Sequence, residues 1–280
     1  MATLKEMLKD IVNEKRKSGV TDDVLRNILK ETLQYYVLDF LYNSSYGENL
    51  IFTGGSALRI CYGLNRLSED LDIDIERNKE INKEQLNEEL SYYFKSKLQF
   101  KEIESSIKGR DRKIYLKFPI LYALNVAQKP ESEKLYVKVE ISDNISEYYD
   151  IDFIPISKFN LNFVVKVYTI ETLMASKIIA IASRTFQKGK SNVITFKGRD
   201  YYDLLWFLQN KIEPNLERLR DVLKISEHKE VYSMLLEKID SINPAHLKED
   251  IVPLFQDGRF IEHYVRNYKD MVKKYLISSH

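Results

Sequence analysis

Apolar and polar positions along this chain follow two periods, and the switch between them divides it. After Thr3 and again after Thr21, apolar residues recur every three to four positions, the spacing of amphipathic helices. Thr3 and Glu6 stand at capping-box spacing, and Thr21 precedes a second helix expected to reach about Leu41. Residues 49–53 read as a short buried strand ending in Gly54-Gly55, with a helix start over 56–62. Leu71, Ile73 and Ile75 then alternate with Asp70, Asp72, Asp74 and Glu76, the period of a strand with one apolar and one acidic face. A helix over 83–98 and strands over 100–107, 113–121 and 135–141 follow. From Thr169 onward the period is helical: Thr169 caps 170–184, and helices are expected over 199–209, 214–223, 229–239, 245–255 and 259–277. The expected fold is α+β. A mixed sheet with flanking helices occupies residues 1–160, a mainly helical C-terminal domain occupies 161–280, and residues 156–169 join them.

Composition narrows the class. At 280 residues the chain can bury a substantial core, and 44% hydrophobic with 30% charged residues argues against disorder. Lys and Arg number 43 against 42 Asp and Glu, so the whole chain does not announce a polyanion partner. Locally, residues 161–199 carry seven basic side chains (Lys166, Lys177, Arg184, Lys188, Lys190, Lys197, Arg199) against the single acid Glu171, a candidate footprint for polyphosphate or RNA. Cys61 is the only cysteine, which excludes an intrachain disulfide, and it is expected in the core. No apolar run approaches the ~20 residues that span a bilayer, and the first residues lack a signal-peptide pattern. No membrane association and a cytoplasmic location are therefore expected. The four histidines lie in separate late segments without zinc-ligand spacing.

The acidic strand carries the chemistry. Several carboxylates on one strand face repel one another, and a bound cation or neighbouring Lys and Arg relieve that repulsion. Residues i and i+2 of a strand point the same way with Cα atoms roughly 6.6 Å apart. Their carboxylates can share two metal ions about 3.5–4 Å apart, the arrangement used to move phosphoryl groups. Asp70 with Asp72 fits, and so does Asp72 with Asp74; the residues alone leave the register open. Glu140, on one strand face with Lys138, is the candidate third ligand, the opposing reading being a cross-strand ion pair. Gly54 and Gly55 allow close backbone approach to a phosphate and positive φ, while Ser56 offers a hydroxyl near a helix N-terminus. A Walker A loop is absent. A glycine turn followed closely by alternating acids is a compact way to hold a nucleoside triphosphate with Mg²⁺.

The run Gly54-Gly55-Ser56-Ala57-Leu58-Arg59, followed by Arg66-Leu67-Ser68-Glu69-Asp70-Leu71-Asp72, closely resembles the AbiEii-type nucleotidyltransferase toxins, a branch of the polymerase-beta-like nucleotidyltransferase superfamily. Lys177-Ile178-Ile179-Ala180 with Arg184 resembles the third motif of that family, and Arg199-Asp200-Tyr201-Tyr202-Asp203-Leu204 the fourth; the likeness spans about Ile51 to Leu208. The resemblance implies that the carboxylate pair is Asp70 and Asp72, with Asp74 an additional acid of unassigned role. It further implies that Gly54, Gly55, Ser56, Arg59, Ser68 and Arg184 bind the nucleotide. Lys177 is implied to contact its phosphates, and Asp200 to act in catalysis or orient the lysine. Asp203 reads as a structural acid on a helix surface, a partner for Arg199. Tyr201 and Tyr202 are either core aromatics or a stacking site for a base.

The resulting expectation is an NTP-using, Mg²⁺- or Mn²⁺-dependent transferase that moves NMP to an acceptor. The resemblance implies RNA as that acceptor, at a tRNA 3′ end, in a bacterial toxin–antitoxin or abortive-infection setting with an antitoxin protein as possible partner. Two other readings stand beside it: modification of a protein or of a small molecule such as an antibiotic, and a non-catalytic binding module that keeps the fold.

Overall fold

The computed structural model describes residues 3–183 and 196–278, which fall into two compact units. The first comprises 1–61, 65–144 and 151–167, and the second 62–64, 145–150 and the chain from Tyr168.

The first unit opens with α1 (Leu4–Lys17), whose Thr3 and Glu6 form the expected reciprocal cap. In α2 (Asp22–Tyr42) Thr21 makes no side-chain cap, and Asp22 and Asp23 supply negative charge to the first turn instead. Then come β1 (Leu50–Thr53), α3 (Gly54–Tyr62), β2 (Asp70–Ile75) and α4 (Lys83–Tyr92), which runs into a wider turn over Tyr93–Lys97. β3 (Glu104–Lys108), β4 (Lys113–Pro119), β5 (Lys134–Asp143), β6 (Ile151–Lys158) and β7 (Leu161–Tyr168) complete one seven-stranded sheet in the order β3-β4-β5-β2-β1-β7-β6. The sheet is mixed: β2 runs parallel to β5 and β1 to β7, whereas β1–β2, β3–β4 and β4–β5 are antiparallel.

One face of the sheet is apolar. Leu71 and Ile73 of β2, Val137, Val139 and Ile141 of β5, and Ile114, Leu116 and Phe118 of β4 are all buried. Phe118 meets Phe94 and Phe100 edge-on at centroid distances of 5.0 and 5.3 Å.

The segment 156–169, expected to be a joining piece, instead supplies the end of β6 and all of β7. Two features hid this hairpin. Pro155 interrupts β6, a residue that sheets accept on an edge strand such as this one. Its turn is made by Phe159 and Asn160 at φ 54° and 58°, a left-handed pair built without glycine.

The second unit is helical: α5 (Ile170–Ser183), α6 (Gly198–Gln209), α7 (Leu216–Leu223), α8 (His228–Asp240), α9 (Pro244–Ile251) and α10 (Ile261–Ser278). Thr169 Oγ1 accepts from the Thr172 amide at 3.4 Å and caps α5 as expected. Asn215 and Asn243 cap α7 and α9. The fully buried Arg218 holds this unit to its own upstream segments, with Nε donating to Ser176 Oγ at 3.1 Å and the guanidinium 5.1 Å from the Tyr168 ring centroid. No described helix is long and apolar enough to cross a membrane.

Candidate functional site

β2 places its acids as the alternation requires. Asp70, Asp72 and Asp74 are partly exposed on one face, while Leu71, Ile73 and Ile75 are buried on the other. Asp72 is flanked by Thr53 of β1 and Glu140 of β5, Asp70 by Lys138, and Asp74 by Ile51 and Ser142. Asp72 and Glu140 are therefore neighbours on one face, as a third ligand must be. The ion-pair reading of Glu140 also holds. Lys113 Nζ lies 2.8 Å from Glu140 Oε1, and Lys138 Nζ lies 2.8 Å from Asp70 Oδ2 and 3.4 Å from Glu140 Oε2. Burial works against the Lys138 ammonium, but its hydrogen bond to Asp70 and the charges of Asp70 and Glu140 outweigh that cost and hold its pKa above the ordinary lysine value. Lys113 is raised for the same reasons, with Glu140 as the principal partner. Among the described residues no three Asp, Glu, His or Cys side chains converge into a preassembled cluster; lysine ammonium groups neutralise the carboxylates of this face.

The glycine turn serves this strand directly. Gly54, with φ +77°, begins α3, so the turn is the first turn of the helix. A Cβ on Gly54 would lie 2.2 Å from Asp72 Oδ2 and 2.8 Å from Asp72 Cβ. Gly55, without positive φ, faces the buried Arg66, whose Nη2 would stand 2.5 Å from an added Cβ. Sequence reasoning assigned both glycines to phosphate approach. In the structure they make room for the Asp72 carboxylate and the Arg66 guanidinium. Gly54→Ala is expected to cost about 1–3 kcal/mol from backbone strain alone and to push Asp72 off the strand face. Thermal unfolding together with Mn²⁺ titration of the variant measures both effects, and a variant with wild-type stability and metal affinity would contradict the account.

Ser56 is 1% exposed, and its Oγ has no hydrogen-bond partner. An orphaned hydroxyl in the first turn of a helix, where free amides favour anions, is a site that suits a phosphate oxygen. Ser68 is buried just ahead of β2. Arg59 is engaged elsewhere, its Nε donating to Glu31 Oε2 at 3.1 Å. Lys166, counted in the basic footprint, is also structural. It is buried, donating to the Glu48 carbonyl at 3.0 Å and pairing with Glu76 at 2.7 Å.

In the helical unit, Lys177 Nζ is gripped by two acids of α6, Asp200 Oδ1 and Asp203 Oδ2, each at 2.8 Å. Asp203 is fully buried, which corrects its expected place on a helix surface. Asp200 and Asp203, three residues apart, share one side of α6, so the helix turns both carboxylates inward to meet Lys177 of α5. Beneath them burial, with neighbouring tyrosines and Asp203, drives the Tyr264 and Tyr268 hydroxyls well above the ordinary phenol range. Tyr201 is buried, and Tyr202 packs on Phe255 and Tyr264 at 5.0 and 5.2 Å, which makes both core aromatics rather than base platforms. Cys61 is only partly buried, and burial still lifts its thiol to about 12. Arg184, Lys188 and Lys190 lie outside the described residues.

Lys138 and Arg66 escaped the sequence reading as members of the site. The available signal was positional: Lys138 is two residues from Glu140 on the same strand face, and Arg66 opens the run that leads into β2.

Comparison with known proteins gives the chain a family and its fold a set of neighbours. A family model described as the nucleotidyl transferase AbiEii toxin of type IV toxin–antitoxin systems matches residues 36–279. Among solved structures, the MenT4 nucleotidyltransferase toxin of Mycobacterium tuberculosis is similar with a TM-score of 0.58 at 16% identity, covering 96% of this chain and 88% of its own. JHP933 of Helicobacter pylori is similar with a TM-score of 0.52 at 19% identity, covering 90% of this chain and 92% of its own. No curated protein matches the chain in sequence.

Proposed function

Since the chain belongs to the AbiEii nucleotidyl transferase toxin family and is thereby a nucleotidyltransferase, we propose that it transfers NMP from an NTP to a hydroxyl at the 3′ end of an RNA, with tRNA as the acceptor class and growth arrest in a toxin–antitoxin or phage-defence setting as the outcome. The observation that carries the nucleotide half of this reading is the unpartnered Ser56 hydroxyl, two residues from the glycine that yields its Cβ space to Asp72. The triphosphate lies against the first turn of α3, where the free backbone amides of a helix start favour an anion. Asp70, Asp72 and Glu140 form the oxygen donor set suited to Mg²⁺ or Mn²⁺, hard cations that such carboxylates hold. When bound, the cation would neutralise phosphate charge and lower the pKa of the attacking hydroxyl.

This chain's own residues position the rest. The acceptor oxygen attacks the α-phosphorus in line, the bond to the β-bridging oxygen breaks, pyrophosphate departs, and the hydroxyl proton passes to solvent. Ser68 and the α3 turn hold the phosphates. Within the helical unit Asp200 and Asp203 fix the ammonium of Lys177, the residue that the family resemblance assigns to the phosphates. Arg59, tied to Glu31, acts by anchoring α3 to α2.

Incubating the protein with each α-³²P-labelled NTP, Mg²⁺ and total tRNA is expected to label the tRNA from one or two of the four nucleotides. Label appearing on protein, or on a small molecule, would overturn the acceptor assignment and keep the transferase. No label in any fraction, beside a folded protein, would overturn the enzymatic reading itself.

A further inference from the structure

The polar face of the sheet continues past the acids, and its rows can be followed strand by strand. Asp70 stands beside Lys138, Lys138 beside Tyr115, and Tyr115 beside Ser106, one row across β2, β5, β4 and β3. On one side of it lie Tyr136, Lys117 and Glu104; on the other, Lys113 and Lys108 flank Glu140. Tyr136 is 42% exposed in the middle of β5, and Tyr115 is partly exposed, whereas the residues that alternate with them are buried core. Two tyrosines stand on this open sheet face among five lysines (Lys108, Lys113, Lys117, Lys134, Lys138), with Glu104 and Glu140 as the acids on the same face of β3–β5; Lys117 and Lys134 pair with Glu104, and Lys113 and Lys138 with Glu140 and Asp70.

We propose that this face, centred on Tyr115 and Tyr136, is the platform on which the last unpaired nucleotides of the acceptor RNA stack. The inference rests on the RNA reading above and adds where the acceptor lies. Bases stack on exposed aromatic rings, and lysines interleaved with them track the phosphates. Neighbouring strands are roughly 4.8 Å apart, so a nucleotide on Tyr115 lies about 10 Å from the Asp70 strand, within one nucleotide's reach of the reacting end. The lysines are coupled to the same chemistry. Lys138 and Lys113 now spend their charge on Asp70 and Glu140. A divalent cation taking those carboxylates would return both ammonium groups to the platform, so RNA binding and metal binding favour each other.

The test uses the full chain and a fluorescein-labelled RNA hairpin with a four-nucleotide 3′ overhang, compared with the same hairpin blunt-ended. Fluorescence anisotropy should show preference for the overhang. Tyr136→Ala and Tyr115→Ala should each weaken overhang binding roughly tenfold, Tyr136→Phe should retain it, and Mg²⁺ should tighten it in the wild type. In the labelled transfer assay, KM for RNA should rise in Tyr136→Ala while KM for the NTP stays put. Alanine variants that fold and bind like the wild type would overturn the platform, as would equal affinity for the blunt hairpin. Transfer to tRNA alongside either result would leave the proposed function standing and remove only this surface; transfer to protein alone would remove both the RNA acceptor and the platform.

Discussion

Asp72→Asn is expected to lower the rate of nucleotidyl transfer by about a thousandfold or more while leaving the fold intact. Asn has the shape of Asp and fills the space that Gly54 leaves open, so no repacking is required. What disappears is one negative charge from the centre of the donor set, flanked by Glu140 on one side and Thr53 on the other. The rise in Tm that Mg²⁺ gives the wild type should vanish in the variant, as mass action requires when the folded state no longer binds the ion. Asp74→Asn is the companion measurement. Its register partners are Ile51 and Ser142, not an acid, so transfer should change by no more than a few-fold. Equal losses at positions 72 and 74, or an active Asp72→Asn enzyme, would break the assignment of Asp70 and Asp72 as the working pair.

Lys177→Met should be strongly destabilising in the helical unit, by about 3–5 kcal/mol, because it removes the ammonium that two buried carboxylates share. A fall in Tm on the order of 10 °C follows. Adding Asp203→Asn should recover part of that loss, since it removes one of the two buried negative charges, and Asp200 lies nearer the start of its helix, where the macrodipole favours it. Thermal or denaturant unfolding of the two variants decides the point. A Lys177→Met protein as stable as the wild type would show that the triad has no structural share. The prediction also warns against reading function from lost activity alone. A role in phosphate contact needs a variant such as Lys177→Arg, which keeps the charge and the fold while altering the geometry of contact.

The acidic strand was legible because its signal is local: a strand alternates faces every residue, and five consecutive positions of β2 obey that rule without a break. Helix starts with a working cap were legible for the same reason, as at Thr3 and Thr169. Long-range placement was not. Asp203 reads as a surface acid from its own helix, and only the arrival of Lys177 from α5 explains its burial. The glycines were read as a place of close approach, but nothing in a linear sequence says that Asp72 and Arg66 fold back over Gly54 and Gly55. β7 failed for a different reason: an apolar run flanked on both sides within a sheet loses the alternation that marks an exposed strand.

The division of the chain has a consequence for its synthesis. β1, which leads into the glycine turn, has β7 as its second neighbour, and β7 begins about ninety residues after the acids of β2. A growing polypeptide therefore displays the acid-bearing strand long before the sheet around it can close, and Lys177 emerges from the ribosome later still. An interrupted translation product ending before residue 161 would carry Asp70, Asp72 and Glu140 yet lack the strand that closes the sheet beside β1.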